Sequence, residues 1–174
     1  MIRTRRQRRW LNLAGVAAVA GLIGYALFAQ YVQGYEACPL CIFQRVAMLG
    51  LGAVLLAAAL HAPRSAAARV YALLGAAAAG IGIYIAGRHV YLQSLPPDLV
   101  PECGPGLEYL RDVFGPLEVV RMVLTGSGEC ADINWAFLGL SMPAWVLLWF
   151  AALGALAVAA NWQRLDARTG SAWM

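Results

Sequence analysis

Four stretches of this chain are each long and apolar enough to cross a bilayer as a helix: Trp10 to Tyr31, Ile42 to Leu60, Val70 to Val90 and Met142 to Ala160. A spanning helix needs about 20 residues, and within the hydrocarbon every backbone N–H and C=O must find its partner inside the protein. Strands of a membrane barrel would alternate apolar and polar residues over segments of about 10. The runs here are continuous. The expected fold is therefore an all-α membrane protein, a four-transmembrane-helix bundle forming one domain over residues 1–174. Composition agrees, with 61% of residues hydrophobic and 13% charged, where soluble domains have roughly half and a quarter.

Arginine placement orients the bundle. Arg3, Arg5, Arg6, Arg8 and Arg9 precede the first run, Arg64 and Arg69 separate the second from the third, and Arg164 and Arg168 follow the fourth. By the positive-inside rule these segments are cytoplasmic, so both termini are expected there. Residues 32–41 and 91–141 then form loops on the outer side. A basic start followed by an apolar run also suits a signal peptide, and Arg8-Arg9 a twin-arginine signal. The run is longer than the 7–15 or so residues of a signal core and ends in no small-x-small site, so an uncleaved span is expected. The net charge of +4 reflects these arginines and does not point to nucleic acid.

The 91–141 loop is the sizeable polar segment. After the breakers Pro96, Pro97 and Pro101 it holds two short amphipathic stretches, Leu107 to Phe114 and Leu117 to Leu124, expected as helices with apolar faces toward the bilayer surface. Its end, from Trp135 to Trp145, is aromatic enough for an interfacial belt.

The chemistry lies in four cysteines on the outer side. Cys38 and Cys41 form a Cys-Pro-Leu-Cys at the mouth of the second span, and Cys103 and Cys130 bracket the long loop. Four cysteines allow three pairings; one tight pair and one loop pair is the simplest in an oxidising compartment. Pro39 suits the first position of a helix. Cys41 then falls in the first turn, where unpaired N–H groups favour a thiolate, and Arg45 lies one turn on. A reactive sulfur is expected at Cys41. Snorkelling alone would account for Arg45 at a span end, but a thiol one turn away favours function. His89 and Gln93, at the outer end of the third span beside Arg88, have the spacing to hydrogen-bond the carbonyls of a quinone.

A static staple would account for Cys103–Cys130 in isolation. Next to an outward-facing Cys-x-x-Cys, disulfide exchange is the better reading. The loop carries Glu102 and Glu129 beside its cysteines, which disfavour thiolates, whereas Arg45 and the helix end favour one at Cys41. A pair whose thiolate is stabilised is the more oxidising, so electrons are expected to flow from the loop pair to Cys38–Cys41. A metal-binding tetraspan using Cys38, Cys41 and His89 is an alternative; structural zinc sites gather four close ligands, and no metal is expected. A membrane scaffold with two inert disulfides is the plainest alternative.

The block Cys38-Pro-Leu-Cys-Ile-Phe-Gln-Arg45, the run Gly87-Arg-His-Val-Tyr-Leu-Gln93, the Gly-Glu129-Cys130 site and the Trp135 to Trp145 segment resemble, in order, the bacterial DsbB family. That resemblance implies a multi-pass protein of the bacterial inner membrane with its active sites facing the periplasm. It implies that a reduced DsbA-like thiol oxidase attacks at Cys103, that Cys130 then exchanges with Cys38–Cys41 at Cys38, and that Cys41 is left as thiolate beside ubiquinone (or menaquinone). Arg45 would stabilise that thiolate, and His89 and Gln93 would line the quinone site. Gln44 stands where some members of the family carry an acidic residue. A relative dedicated to another dithiol partner would share all of these residues.

Overall fold

The computed structural model describes residues 4–63, 66–100 and 107–162. Cys103, Arg64, Arg164 and Arg168 lie outside the described residues. Four helices are long and apolar enough to span a membrane: α1 (Arg5–Tyr31), α2 (Pro39–His61), α3 (Ala66–Gln93) and α6 (Met142–Asn161). Two short helices, α4 (Leu107–Val113) and α5 (Pro116–Thr125), occupy the long loop where the amphipathic stretches were expected.

The helices outrun the apolar stretches where the chain supplies a cap. Thr4 and Gln7 form a capping box, so α1 starts five residues before Trp10 among arginines. Cys38 caps α2 in extended conformation and Pro39 takes the first helical position, as the sequence expects.

α3 packs most extensively on α6, and α2 lies between α1 and α3. Their shared core centres on Met48, Leu51, Leu55, Phe150 and Leu153, with small residues bringing the backbones together. At Gly75 and Gly154 an added Cβ would approach the Cβ of Ala157 to 2.7 Å and that of Ala79 to 2.6 Å.

At the end of the bundle remote from Cys38, Arg8 is buried and binds two neighbours. Its Nη1 donates to the Pro63 carbonyl at 2.7 Å and its Nε to that of Ala160 at 3.1 Å. One turn on, the amides of Asn12 and Asn161 bond each other in both directions at 3.2 and 3.0 Å. These groups clamp α1 to the ends of α2 and α6, a role beyond the topology signal read from sequence.

At the other end, a second apolar cluster joins Leu40, Ile85 and Leu92 of the spans to Leu110, Val119 and Val123 of the loop helices, and encloses Cys130. The α5 stretch therefore spends part of its apolar face on the bundle, while Leu117 stays exposed. Arg88 seals the junction, donating from Nε to Leu124 O at 3.2 Å and from an Nη to Thr125 O at 2.8 Å. Both carbonyls are among those a helix C-terminus leaves unpaired. The chain then turns at Gly126, φ +88°, where a Cβ would come within 2.3 Å of Leu92.

The aromatic segment holds an element not foreseen: a two-residue hairpin, β1 (Ala136–Phe137) paired antiparallel with β2 (Leu140–Ser141). Leu138 and Gly139 turn it with positive φ of 51° and 78°, and Trp145 Nε1 donates back to Phe137 O at 3.0 Å.

A cysteine and histidine cluster between two clefts

Packing of the loop onto the spans delivers Cys130 to the mouth of α2. The Gly128–Cys130 segment is a single 3₁₀ turn, and Cys130 is 1% exposed. Cys38 Sγ, Cys130 Sγ and a ring nitrogen of His89 all lie within 4.8 Å of one another. Cys38 is also within hydrogen-bond reach of Cys41. Residues separated by more than 90 positions in sequence thus form a chain of sulfurs, Cys130 to Cys38 to Cys41. Cys38, Cys41 and Cys130 each carry a free sulfur.

Cys130 is held well above the ordinary thiol range, first by its hydrogen bond to the Cys38 sulfur and then by burial. The sequence points to carboxylates as the cause; the structure gives the neighbouring sulfur and the apolar cluster instead. Ser127 Oγ lies 3.7 Å from the same sulfur.

Cys41 stands between two clefts. One, of about 80 Å³, is mainly apolar, with Leu22, Ile23 and Val146 in its wall and Cys41, Arg45 and Gln30 among its polar groups. The other, of about 70 Å³, is more polar and is lined by Cys38, Cys41, His89, Gln93, Glu129 and Asp132, among others. Arg45 is fixed on the apolar cleft by α1, donating to Gln30 Oε1 and, at 3.2 Å, to Ala26 O. Gln30 is a partner that the sequence reading missed, because its only signal is a polar residue near the end of an apolar run.

His89 and Gln93 fall on the polar cleft, not among the residues of the apolar one. His89 is 2% exposed; its Nδ1 lies 3.0 Å from Gln44 Nε2 and its Nε2 3.8 Å from Cys38 Sγ. Gln93 Oε1 accepts from Ser141 Oγ at 2.6 Å, at the start of α6. Two sulfurs and one imidazole are one donor short of a closed structural zinc site. As a set they suit thiol exchange, which needs sulfurs in line and a group to handle charge.

The model of the family "Disulfide bond formation protein DsbB" matches residues 8–160. This chain belongs to the DsbB family. A Disulfide bond formation protein B of Xanthomonas axonopodis pv. citri is 50% identical over 152 residues, 87% of this chain and 88% of its own length. One of Nitrosococcus oceani is 49% identical over 162 residues, 93% of each chain. One of Methylococcus capsulatus is 50% identical over 150 residues, 86% of this chain and 92% of its own length. DsbB membership and the four spans together describe a multi-pass membrane protein of disulfide bond formation, with an oxidoreductase role.

Proposed function

We propose that the chain is a quinone-dependent thiol oxidase that reoxidises a DsbA-like dithiol protein outside the bacterial inner membrane. The observation that carries this reading is the line of sulfurs from buried Cys130 through Cys38 to Cys41, ending on an apolar cleft beside Arg45.

In this mechanism the reduced dithiol partner attacks the Cys103–Cys130 disulfide at Cys103, forming a mixed disulfide and releasing Cys130 as thiolate. Cys130 then attacks Cys38 Sγ. A Cys130–Cys38 bond forms, the Cys38–Cys41 bond breaks, and the electron pair leaves on Cys41. The first turn of α2 presents its unpaired N–H groups to that charge, and Arg45 lies one turn further along. The raised affinity of Cys130 for its proton makes it the poorer thiolate, which supports flow from the loop pair toward Cys38–Cys41.

The apolar cleft suits a quinone, with apolar walls for the ring and tail and Cys41, Arg45 and Gln30 among its polar groups, which also include Tyr35, Glu36 and Gln44. When bound there, a quinone supplies an acceptor for two electrons and two protons. Arg45, oriented by Gln30 and Ala26 O, would neutralise negative charge at that end of the cleft. The arginines Arg3 to Arg9 support cytoplasmic termini and outward-facing cysteines, and the whole of residues 1–174 is read as one domain.

The test is to mix the purified protein with ubiquinone and a reduced DsbA-like protein and follow quinone absorbance. Catalytic loss of quinone absorbance with oxidation of the dithiol is expected. No quinone reduction by the intact protein would remove the reading.

A further inference from the structure

The thiol-exchange steps above make no use of His89, although it is buried against Cys38 and bonded to Gln44. We propose that Gln44 and His89 are a positioning pair for Cys38: Gln44 holds the imidazole with its Nε2–H aimed at the Cys38 sulfur, where it stabilises that sulfur as a thiolate. This deepens the thiol-exchange reading and rests on it.

The geometry runs from Gln44 outward. The side-chain nitrogen of a glutamine only donates, so Nδ1 of His89, 3.0 Å away, accepts from it. A neutral imidazole with Nδ1 accepting carries its proton on Nε2. That nitrogen is 3.8 Å from Cys38 Sγ, within the reach of an N–H···S bond. Gln44 and His89 are 4% and 2% exposed, so water competes little for these bonds. The other titratable groups lining this cleft, besides the cysteines, are Tyr35, Glu36, Glu129 and Asp132. Their carboxylates oppose a thiolate, and Arg45 lies on the neighbouring cleft; the imidazole N–H, 3.8 Å from the Cys38 sulfur, is placed to offset them.

The consequence is polarity in the disulfide that joins Cys130 to Cys38. The thiolate of Cys103, released when the partner's second thiol closes the partner's own disulfide, attacks Cys130 Sγ; the new S–S bond forms there, the Cys130–Cys38 bond breaks, and the electron pair leaves on Cys38. The sulfur better stabilised as thiolate leaves faster. His89 thereby releases Cys38 back to the membrane-side pair, ready to close on Cys41, and keeps Cys130 in the loop-side pair.

The test uses the full-length protein with Cys41, Cys103 and Cys130 replaced by Ser, leaving Cys38 alone. Its alkylation by iodoacetamide is measured at pH 7 and again at pH 10.5, where the thiol is ionised, and the ratio of the two rates is taken to cancel changes in access. His89→Ala is expected to lower that ratio about tenfold, one decade in thiolate fraction. His89→Gln, which keeps an N–H donor, restores part of it, and Gln44→Leu lowers it several-fold. A purely structural role would lower the unfolding temperature and leave the ratio unchanged. An unchanged or raised ratio in folded His89→Ala overturns the proposal. Should that variant fail to fold, an unchanged ratio in Gln44→Leu overturns it equally. Quinone turnover by the four-cysteine protein is measured separately, so its absence would remove the oxidase reading without touching this ratio.

Discussion

The ring of Phe150 on α6 lies directly against the bare backbone of Gly82 on α3: a Cβ at residue 82 would sit 2.2 Å from Phe150 Cε1. Phe150 is fully buried, with 0% exposure, and cannot swing aside. Gly82→Ala is therefore expected to cost at least the ~1–3 kcal/mol typical of overpacking. Gly80, with open space around its Cα, is the control: Gly80→Ala should leave stability near wild type. Thermal unfolding in detergent compares the two.

Arg45 is tied to Gln30 and Ala26 O across the α1–α2 contact, so it is placed before any ligand arrives. Arg45→Ala is expected to slow quinone reduction by about two orders of magnitude, the loss usual when a preorganised charge donor is removed. Formation of the Cys38–Cys130 bond, followed by gel shift after alkylation, should persist. Gln30→Leu should reproduce a fraction of the turnover defect.

Arg88 closes the C-terminus of α5 through two carbonyls, and α5 in turn buries Cys130. Charged hydrogen bonds of this kind are worth about 1.5–3 kcal/mol each. Arg88→Ala should loosen the segment from α5 to Cys130, seen as faster proteolysis within residues 107–130. It should also slow exchange between Cys130 and Cys38 by about tenfold, with the spans still folded.

Because Cys130 is held above the ordinary thiol range in the folded chain, folding favours its protonated form. The sign follows from linkage: that stabilisation is complete below the unfolded value of about 8.5 and is lost as pH rises through the folded one. The reduced protein should therefore lose unfolding temperature steadily from pH 8 to pH 10. Cys130→Ser should flatten that slope, and equal slopes in both proteins would contradict it.

The spans were legible because continuous apolar runs have few alternatives in lipid, and the first turn of α2 because Pro39 announces it. The start of α1 at Arg5 was legible in principle: Thr4 and Gln7 have capping-box spacing, but the apolar run drew the boundary to Trp10. The hairpin at residues 136–141 was hidden because Leu138 takes a left-handed conformation that its side chain does not advertise. The meeting of Cys38 with Cys130, and of Gln44 with His89, depends on how α5 docks and how α2 faces α3. No local spacing encodes either contact. Likewise His89 and Gln93 share a helix face, but only the packing of α6 shows that Gln93 is engaged by Ser141.

In the proposed mechanism, direct sulfur exchange between Cys130 and Cys38 is the step on which the electron path depends. In a Cys41→Ser, Cys103→Ser protein, mild oxidation followed by proteolysis and mass spectrometry reads that contact without any quinone or partner. A disulfide-linked pair of peptides containing Cys38 and Cys130, formed within one chain and in high yield, is expected. Two free thiols after oxidation, or links only between separate chains, would contradict it.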